Sequence, residues 1–337
     1  VAIAALPAII GLLPMPGGAI FSAPLVDDCD PEKRIDGLLK THINYWFRHV
    51  WEYWWPLYPG VLMLQAATGL DAWQLLLFHL PLSLAAVTIG YWFLLRHVPR
   101  GESTTPSVEP DNPSTPPLDA SVRRILGLLA PVFAVIGTYA LIRLAVAPFL
   151  PLNRYVPMIM GLAVAVLIQQ YKRPLSWKQW KEILLSNRTL VLALLVTVVR
   201  VYGAFIEHPL PDGVPLVEQM RNEFNAWGIP ITAVIMAVPF VCGVATGLAV
   251  GFVGASFPIV MSLLGADPTF AQVMTTTALA FGFGYMGMIL SPVHICLIVT
   301  NEHFGTRLLR SLKGLLAPAL AMLTFTFLYS RLLPFVL

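Results

Sequence analysis

Apolar stretches long enough to cross a lipid bilayer recur along this chain. An α-helix rises about 1.5 Å per residue, so roughly 20 apolar residues span the ~30 Å hydrocarbon core of a membrane. Stretches of this kind lie at 49–68, 72–95, 125–147, 155–170, 189–206, 270–300 and 314–333. Of the 337 residues 57% are hydrophobic and only 12% are charged, which is more apolar than a soluble core of this size needs. The sequence therefore predicts an all-α polytopic membrane protein, and we expect it to be a multi-pass protein of a prokaryotic-type cytoplasmic (inner) membrane.

Two further apolar segments, 1–25 and 229–263, are interrupted by glycine and proline and do not read as single straight helices. Backbone freed from helical hydrogen bonds inside a membrane must be buried in protein or line a polar cavity. We therefore interpret both segments as re-entrant hairpins. Two longer segments, about 31–68 and 270–300, carry proline within an apolar run and are predicted to be broken transmembrane helices.

Basic residues indicate the orientation of the spans, because lysine and arginine are enriched in short cytoplasmic loops. Three connections contain such residues: Arg96, Arg100, Arg123 and Arg124; Lys172, Arg173, Lys178, Lys181 and Arg188; and Arg307, Arg310 and Lys313. We expect these loops to be cytoplasmic and the connections near 69–71, 148–154 and 207–228 to face outward. The chain opens directly in apolar sequence without a methionine, so we also expect further helices upstream of residue 1.

A proline-rich polar segment, 97–122, separates two parts that share an order of elements. Its composition favours an extended cytoplasmic linker. Each part contains a predicted hairpin, then a broken helix, then a plain span; the second part, 123–337, has three additional spans before its hairpin. Residues 11–21 align with 247–257 with identity at five of eleven positions. With the loop charges above, the hairpin of the first part, 1–96, enters from the cytoplasm and the second from outside, so the sequence predicts two inverted repeats.

Two motifs connect the chain to a known family. They are Leu-Pro-Met-Pro-Gly-Gly-Ala at 13–19 with Ser-Ala-Pro at 22–24, and Leu-Ser-Pro-Val-His at 290–294 with Thr-Asn-Glu at 300–302. With these motifs the chain resembles the membrane proteins called domain of unknown function 401, in the ion transporter superfamily of citrate, dicarboxylate and gluconate carriers. The resemblance implies two inverted repeats, each with a re-entrant hairpin and a broken helix whose tips meet at a midplane solute site. It also implies a homodimer.

The hairpin interruptions supply the first candidate solute contacts. Helix ends at such breaks present free N–H groups, which favour carboxylate or phosphate. The candidates are Pro14, Met15, Pro16, Gly17 and Gly18 in the first hairpin, and Gly251, Gly254, Ala255 and Ser256 in the second, where we expect 254–256 to form the tip. The first set could instead be an ordinary interhelical loop, and the second has a small-residue spacing that also packs helices closely.

The broken helices supply polar candidates. Asn44, Thr275 and Thr277 precede the breaks and could bind a solute without buried charge, although threonine in membrane helices more often bonds a carbonyl one turn back. Ser291 and Pro292 interrupt the second broken helix, where the proline should free carbonyl groups for a ligand or ion.

Two titratable side chains are predicted to couple transport to protons. His294 lies beside the predicted break, and a histidine at membrane depth is costly unless it is paired or functional. Glu52 lies in a tryptophan-rich stretch at the head of 49–68. The structural alternatives are a neutral imidazole bonded within the bundle and a carboxylate that reaches the headgroups from an aromatic belt.

These features favour a secondary active transporter for a small polar or anionic solute, an organic acid by class. We expect alternating access, with the hairpin region carrying the solute, and coupling to protons rather than to sodium, because no carboxylate-rich sodium cage is present. An accessory or structural subunit of a larger membrane complex is the alternative. An intramembrane enzyme is disfavoured, because H-E-x-x-H and G-x-S-x-G motifs are absent.

The three cysteines, Cys29, Cys242 and Cys296, stand alone in the sequence. None belongs to a C-x-x-C pair or has a histidine at the spacing of a known metal motif. We therefore predict no disulfide framework, no metal site and no cofactor. The basic residues sit in short loops between spans, where membrane orientation explains them, so the predicted partners are a small solute, a proton and the lipid bilayer rather than nucleic acid.

Overall fold

A computed structural model gives the structure of the chain. It describes residues 2–14, 17–99, 130–131, 133–146, 149–150, 152–153, 156–209, 211, 213–214, 216–265 and 267–337. Throughout these residues the regular structure is helical, with no β-strand. The predicted all-α class is therefore confirmed for the described part of the chain.

Five helices form the N-terminal part. They are α1 Ala2–Gly11, α2 Ala19–Asp28, α3 Gly37–Arg48, α4 Pro59–Thr68 and α5 Ala72–Phe93, which a 3₁₀ turn at Leu95–His97 follows. Local signals start two of them: the carboxylate of Asp36 accepts a hydrogen bond from the Leu38 amide at the start of α3, and Asp71 with Gln74 forms a capping box for α5.

The middle of the chain contains α6 Phe133–Val146, whose last turn at Ile142–Val146 has π geometry, then α7 Val156–Lys172, α8 Trp177–Leu184, α9 Asn187–Glu207 and α10 Leu216–Ala226. Helices α8 and α10 lie where the sequence analysis predicted only connections. The short α8 begins with a Ser176–Gln179 capping box and separates apolar from charged residues on opposite faces. The predicted linker 97–122 lies outside the described residues from position 100 onward, as does the start of the predicted span 125–147.

Five helices form the C-terminal part. They are α11 Ile231–Thr246, α12 Ala249–Ser262, α13 Phe270–Ile289, α14 Ile295–Phe304 and α15 Leu308–Leu332, with a 3₁₀ turn at Leu333–Phe335.

The chain divides into two compact units. One comprises residues 1–100 and 193–337 and contains α1–α5, most of α9 and α10–α15. The other comprises residues 101–192 and contains α6–α8. Within this second unit α6 and α7 approach closely at Gly161, where a Cβ would lie 2.8 Å from the carbonyl oxygen of Val135.

Each segment predicted as a hairpin contains two helices that pack on each other, α1 with α2 and α11 with α12. Gly17 and Gly247 precede α2 and α12 with φ values of +71° and +62°, the left-handed backbone that favours glycine. The second turn therefore lies at Gly247, because this residue ends α11 and α12 begins two residues later. The prediction that residues 254–256 form the tip was wrong: they lie inside α12.

Both predicted broken helices consist of two helices with an irregular connection. Residues 49–58 form turns between α3 and α4, and Pro59 occupies the first turn of α4, where proline is well tolerated. Residues 290–294 connect α13 to α14. The stretch 49–68 is thus not one continuous span as its apolar composition predicted, because tryptophan-rich turns occupy its first half.

Helix contacts in the larger unit come in matching pairs. Helix α1 packs on α3 as α11 packs on α13, and α2 packs on α14 as α12 packs on α4. Similarly, α3 contacts α5 as α13 contacts α15, and α5 packs on α15. The second arm of each hairpin therefore contacts the second half of the opposite broken helix.

Within the described residues, two helices are long and apolar enough to cross a membrane, Ala72–His97 and Leu308–Phe335. The pair Leu216–Ala226 and Ile231–Thr246, bent by 116°, makes a third candidate if it is one span. Two other predicted spans, 125–147 and 155–170, contain shorter apolar helices in the described chain, Phe133–Val146 and Val156–Lys172. A membrane location is therefore possible by length and composition.

Candidate functional site

The two breaks and the first hairpin meet around the end of α3. Arg48, the last residue of α3, is only 2% exposed. Its guanidinium lies against Gly18, where a Cβ would come within 2.8 Å of Cζ, and its Nη1 donates to Sγ of Cys296 over 3.6 Å. A buried positive charge therefore sits at the turn of the first hairpin, where any side chain larger than hydrogen at position 18 would displace it.

The N-terminus of α2 adds backbone donors beside this charge. Gly18 is the N-cap residue and provides no side-chain cap. The amides of Gly17 and Ala19 face Sγ of Cys296. The helix dipole favours negative charge at this end of a helix. Together with Arg48 it makes the hairpin turn a positively polarised, water-poor environment.

Two buried histidines face each other across the breaks. His49 follows α3, His294 precedes α14, and their Nε2 atoms lie 3.1 Å apart. Nδ1 of His49 lies 2.6 Å from the backbone carbonyl of Tyr45, so this nitrogen carries the proton and Nε2 presents its lone pair. The His49 ring also packs edge-on against Tyr45 and His294.

Glu52 completes the cluster. Its side chain is buried, and Oε1 lies 3.8 Å from Nε2 of His49. The hydroxyl of Tyr58, which donates to the carbonyl of Gly11, lies beside Glu52. The Glu52 side chain is therefore buried between Tyr58 and the histidine pair.

Tyrosine hydroxyls hold the irregular backbone at both breaks. Tyr45 donates to the carbonyl of Ile289 at 3.0 Å, and Tyr285 donates to the carbonyl of His49 at 2.5 Å. Each bond satisfies a carbonyl that a helix end leaves free. The two breaks are thereby connected to each other by side chains of the opposite broken helix.

The second hairpin meets the second break. Ser291 donates through Oγ to the carbonyl of Val244 at 2.7 Å. A Cβ on Gly247 would lie 3.0 Å from both Ser291 Oγ and the His294 amide nitrogen. The turn at Gly247 therefore packs directly on the break that carries His294.

The structure brings together part of the predicted site. Gly17 and Gly18 lie beside Ile295 and Arg48 respectively. The cluster also contains His294 and Glu52, and Ser291 lies at its edge against Gly247. Pro14 is half-buried ahead of the turn, Pro292 is exposed within the second break, and Met15 and Pro16 lie outside the described residues.

Other predicted residues lie elsewhere. Ala255 is exposed on α12, and Ser256 donates to the carbonyl of Phe252, one turn back. Asn44 donates to Thr300 on α14 at 3.1 Å rather than pairing with the threonines of α13. The hydroxyls of Thr275 and Thr277 are buried without a hydrogen-bond partner. Gly251 and Gly254 also lie within α12, where a Cβ on Gly251 would meet Thr246.

Sequence reasoning missed Arg48, His49, Tyr45 and Cys296. A signal was available for some of them: Arg48 and His49 precede Glu52 in the same apolar stretch, and Cys296 follows His294 by two residues at a predicted break. Charged or metal-binding side chains in an apolar stretch are costly and mark functional positions. Their convergence could not be seen, because 248 residues separate Arg48 from Cys296.

Three residues at the two breaks, His49, His294 and Cys296, could hold a metal ion. The Nε2 or Nδ1 atoms of His49 and His294 and Sγ of Cys296 lie within 4.8 Å of one another, and all three residues are buried. The prediction of no metal site considered only residues near each cysteine in sequence and did not anticipate this group. Cys29, Cys242 and Cys296 are free thiols.

The cavity beside His49 is small. It has a volume of about 10 Å³ and is bordered by His49, Tyr53 and Tyr285 among others. This is room for about one water molecule. A larger solute would reach the histidine pair through this cavity only after the surrounding helices move apart.

Comparison with known families assigns the chain to one of them. The family described as Protein of unknown function (DUF401) matches residues 2–332. No curated protein matches the chain. Because the match covers nearly all of the 337 residues, the chain belongs to the DUF401 family.

Proposed function

We propose that this protein is a secondary active transporter for a small organic anion, in a membrane that α5 and α15 cross. The proposal rests on one observation, the buried guanidinium of Arg48 at the turn of the first hairpin, beside the N-terminus of α2. Arginine binds carboxylate bidentately, and the helix end adds backbone donors.

The surface of the two long helices supports membrane insertion. Large apolar side chains are exposed along α5, including Leu77, Leu84 and Trp92, and along α15, including Leu316 and Leu320. Soluble proteins rarely expose continuous apolar surface on this scale, whereas lipid requires it.

The matching helix contacts support two inverted repeats, with α1–α5 corresponding in order to α11–α15. Each repeat supplies a hairpin and a broken helix, and each hairpin contacts the opposite broken helix. Paired interrupted segments of this kind are typical of transporters, in which one element rocks against the other around a fixed site. The glycines at the two hairpin turns, Gly17 and Gly247, are the proposed hinges.

The driving ion we propose is the proton. Among the described residues, only two carboxylates are buried, Asp30 and Glu52, and Glu52 lies at the first break, 3.8 Å from His49. Uptake measured with a pH gradient and separately with a sodium gradient tests this assignment. Dependence on sodium alone would contradict it.

The binding proposal is tested by thermal stability of the purified protein against small carboxylates, sugar acids, phosphate and amino acids. A ligand at 100 times its Kd stabilises the folded state by about 2.7 kcal/mol, which is measurable as a rise in Tm. We expect one class of anion to raise Tm saturably in the wild type and in Arg96→Gln, an exposed arginine, but not in Arg48→Gln. Absence of any shift in the wild type would favour the accessory-subunit alternative.

A further inference from the structure

We infer that His49, His294 and Cys296 form a binding site for a transition-metal ion of the zinc class, with Glu52 as fourth ligand. The inference does not depend on the proposed transport function, because metal binding is measured directly on the purified protein.

The donor atoms converge to nearly the separations that a metal requires. Zinc binds nitrogen at about 2.0–2.1 Å and sulfur at about 2.3 Å in tetrahedral sites, so adjacent nitrogen ligands lie about 3.3 Å apart. The two Nε2 atoms are 3.1 Å apart, Glu52 Oε1 is 3.8 Å from His49 Nε2, and the three donors of His49, His294 and Cys296 lie within 4.8 Å of one another. The donors of His49, His294 and Cys296 therefore lie close to one common ligand position, and Glu52, next to His49, is the proposed fourth ligand.

The hydrogen bond of His49 places this ring in the orientation of a metal ligand. Metal-bound histidines usually donate their other N–H to a carbonyl or carboxylate, which fixes the tautomer. His49 has this arrangement, with Nδ1 bonded to the Tyr45 carbonyl and its Nε2 lone pair directed at His294. Nδ1 of His294 has no partner at good geometry, although the Met288 carbonyl interacts with this ring. With its proton on Nδ1, His294 would direct a second lone pair at His49, and a cation could bind between the two nitrogens; with its proton on Nε2, His294 donates to His49 instead.

The types of donor select the metal. Imidazole nitrogen and thiolate sulfur favour zinc and its soft neighbours over magnesium or calcium, which take oxygen ligands. One thiolate and one carboxylate neutralise a divalent ion, which lowers the cost of burying the centre. Nη1 of Arg48 donates to Sγ of Cys296 and would support the thiolate as an outer hydrogen bond. Binding would release the thiol proton of Cys296 to solvent.

The position of the site gives it a role. His49 follows α3, whereas His294 and Cys296 lie at the start of α14, so the ion would join the breaks of the two broken helices. Four protein ligands leave no open position for catalysis, and such closed sites are structural. The metal would therefore hold the two breaks together.

The test is titration of the purified full-length chain with Co²⁺, a spectroscopic substitute for zinc, in detergent. We expect one equivalent of Co²⁺ per chain, a thiolate-to-cobalt charge-transfer band, and stoichiometric displacement by Zn²⁺. Cys296→Ser should lose the band, whereas Cys242→Ser, a half-buried thiol outside the cluster, should keep it. His294→Gln should keep the sulfur band but weaken binding by more than about 10-fold, and His79→Gln, another buried histidine, should bind as the wild type does.

Several outcomes would overturn the inference. Absence of a charge-transfer band in folded wild type would leave a proton as the only bridge between the histidines. A band that persists in Cys296→Ser, or one that is lost equally in Cys242→Ser, would assign the metal to another thiol. The wild-type titration alone decides the first of these outcomes. The inference can therefore be overturned even if a variant does not fold.

Discussion

The guanidinium of Arg48 occupies the space that a side chain at Gly18 would need, although 30 residues and the whole of α2 separate the two positions in sequence. Glycine at the hairpin turn and arginine at the end of α3 are therefore one structural feature. The hairpin turn can approach the charge only because it carries no Cβ.

Replacement of Gly18 by alanine should destabilise the protein and displace Arg48. Overpacking in a filled interior costs about 1–3 kcal/mol, so we expect a lower Tm and weaker anion stabilisation. Gly137→Ala is the matched control, because a Cβ there meets nothing within 4 Å and alanine is preferred in a helix by about 0.5–1 kcal/mol. An unchanged Tm in Gly18→Ala would contradict the close contact.

Two variants separate the effect of backbone strain on Tm from the effect of side-chain contact at Gly247. Gly247 and Gly305 both have left-handed backbone, but a Cβ on Gly247 meets Ser291 and His294, whereas one on Gly305 meets nothing within 4 Å. Alanine in this conformation costs about 1–2 kcal/mol. We expect Gly247→Ala to lower Tm more than Gly305→Ala. Equal losses in the two variants would mean that the packing of the turn on the break contributes nothing.

Membrane insertion of α15 is testable with two arginine substitutions on one helix. Leu309 and Leu320 are similarly exposed, at 66% and 62%, but Leu309 lies at the start of the helix and Leu320 near its middle. Arginine at the centre of a spanning helix costs about 2.5–3.5 kcal/mol, and far less near its ends. Leu320→Arg should therefore reduce the amount of protein extracted from membranes, and Leu309→Arg should not. Equal yields would argue against a spanning α15.

Acid should destabilise the loop between α2 and α3 through Asp30. Burial raises the pKa of this carboxyl, but hydrogen bonds from Lys40 and from the amides of Ile35 and Arg34 outweigh it and hold the pKa below its usual value. A carboxyl with a lowered folded pKa stabilises the protein above its unfolded pKa, about 3.9, and loses that contribution as pH falls through the folded value. Tm should thus fall below about pH 4.

The comparison for this pH dependence is Asp30→Asn against Asp28→Asn, an exposed neighbour. Asp30→Asn should have a lower Tm at neutral pH and a shallower decline in acid, because the ionisable group is gone. A full acid decline in Asp30→Asn would assign the effect to other carboxylates.

The sequence predicted the helical class and the interrupted segments, because glycine, proline and apolar periodicity act locally. The second turn was misplaced because the alignment of 11–21 with 247–257 pairs Gly18 with Gly254. The left-handed glycines instead pair Gly17 with Gly247. Helix starts agree with the glycines: α2 begins at Ala19 and α12 at Ala249, each two residues after the glycine.

The candidate site was only partly predictable. His294 and Glu52 stood out as polar residues in apolar stretches, and both lie in the cluster. The contacts that give the cluster its chemistry join α3 to α14 across more than 240 residues, and no local pattern encodes them. Ser256 was predicted to contact the solute, but its hydroxyl donates to the carbonyl of Phe252 in the same helix.

Uptake into proteoliposomes tests the central claim most directly. The substrate would be the radiolabelled anion that stabilises the wild type, with wild type, Arg48→Gln and Arg96→Gln reconstituted at equal density. A hydrogen bond to a charged group contributes about 1.5–3 kcal/mol, so we predict saturable uptake that falls about 10-fold or more in Arg48→Gln and is unchanged in Arg96→Gln. Wild-type uptake in Arg48→Gln, or no uptake by folded wild type, would contradict the account.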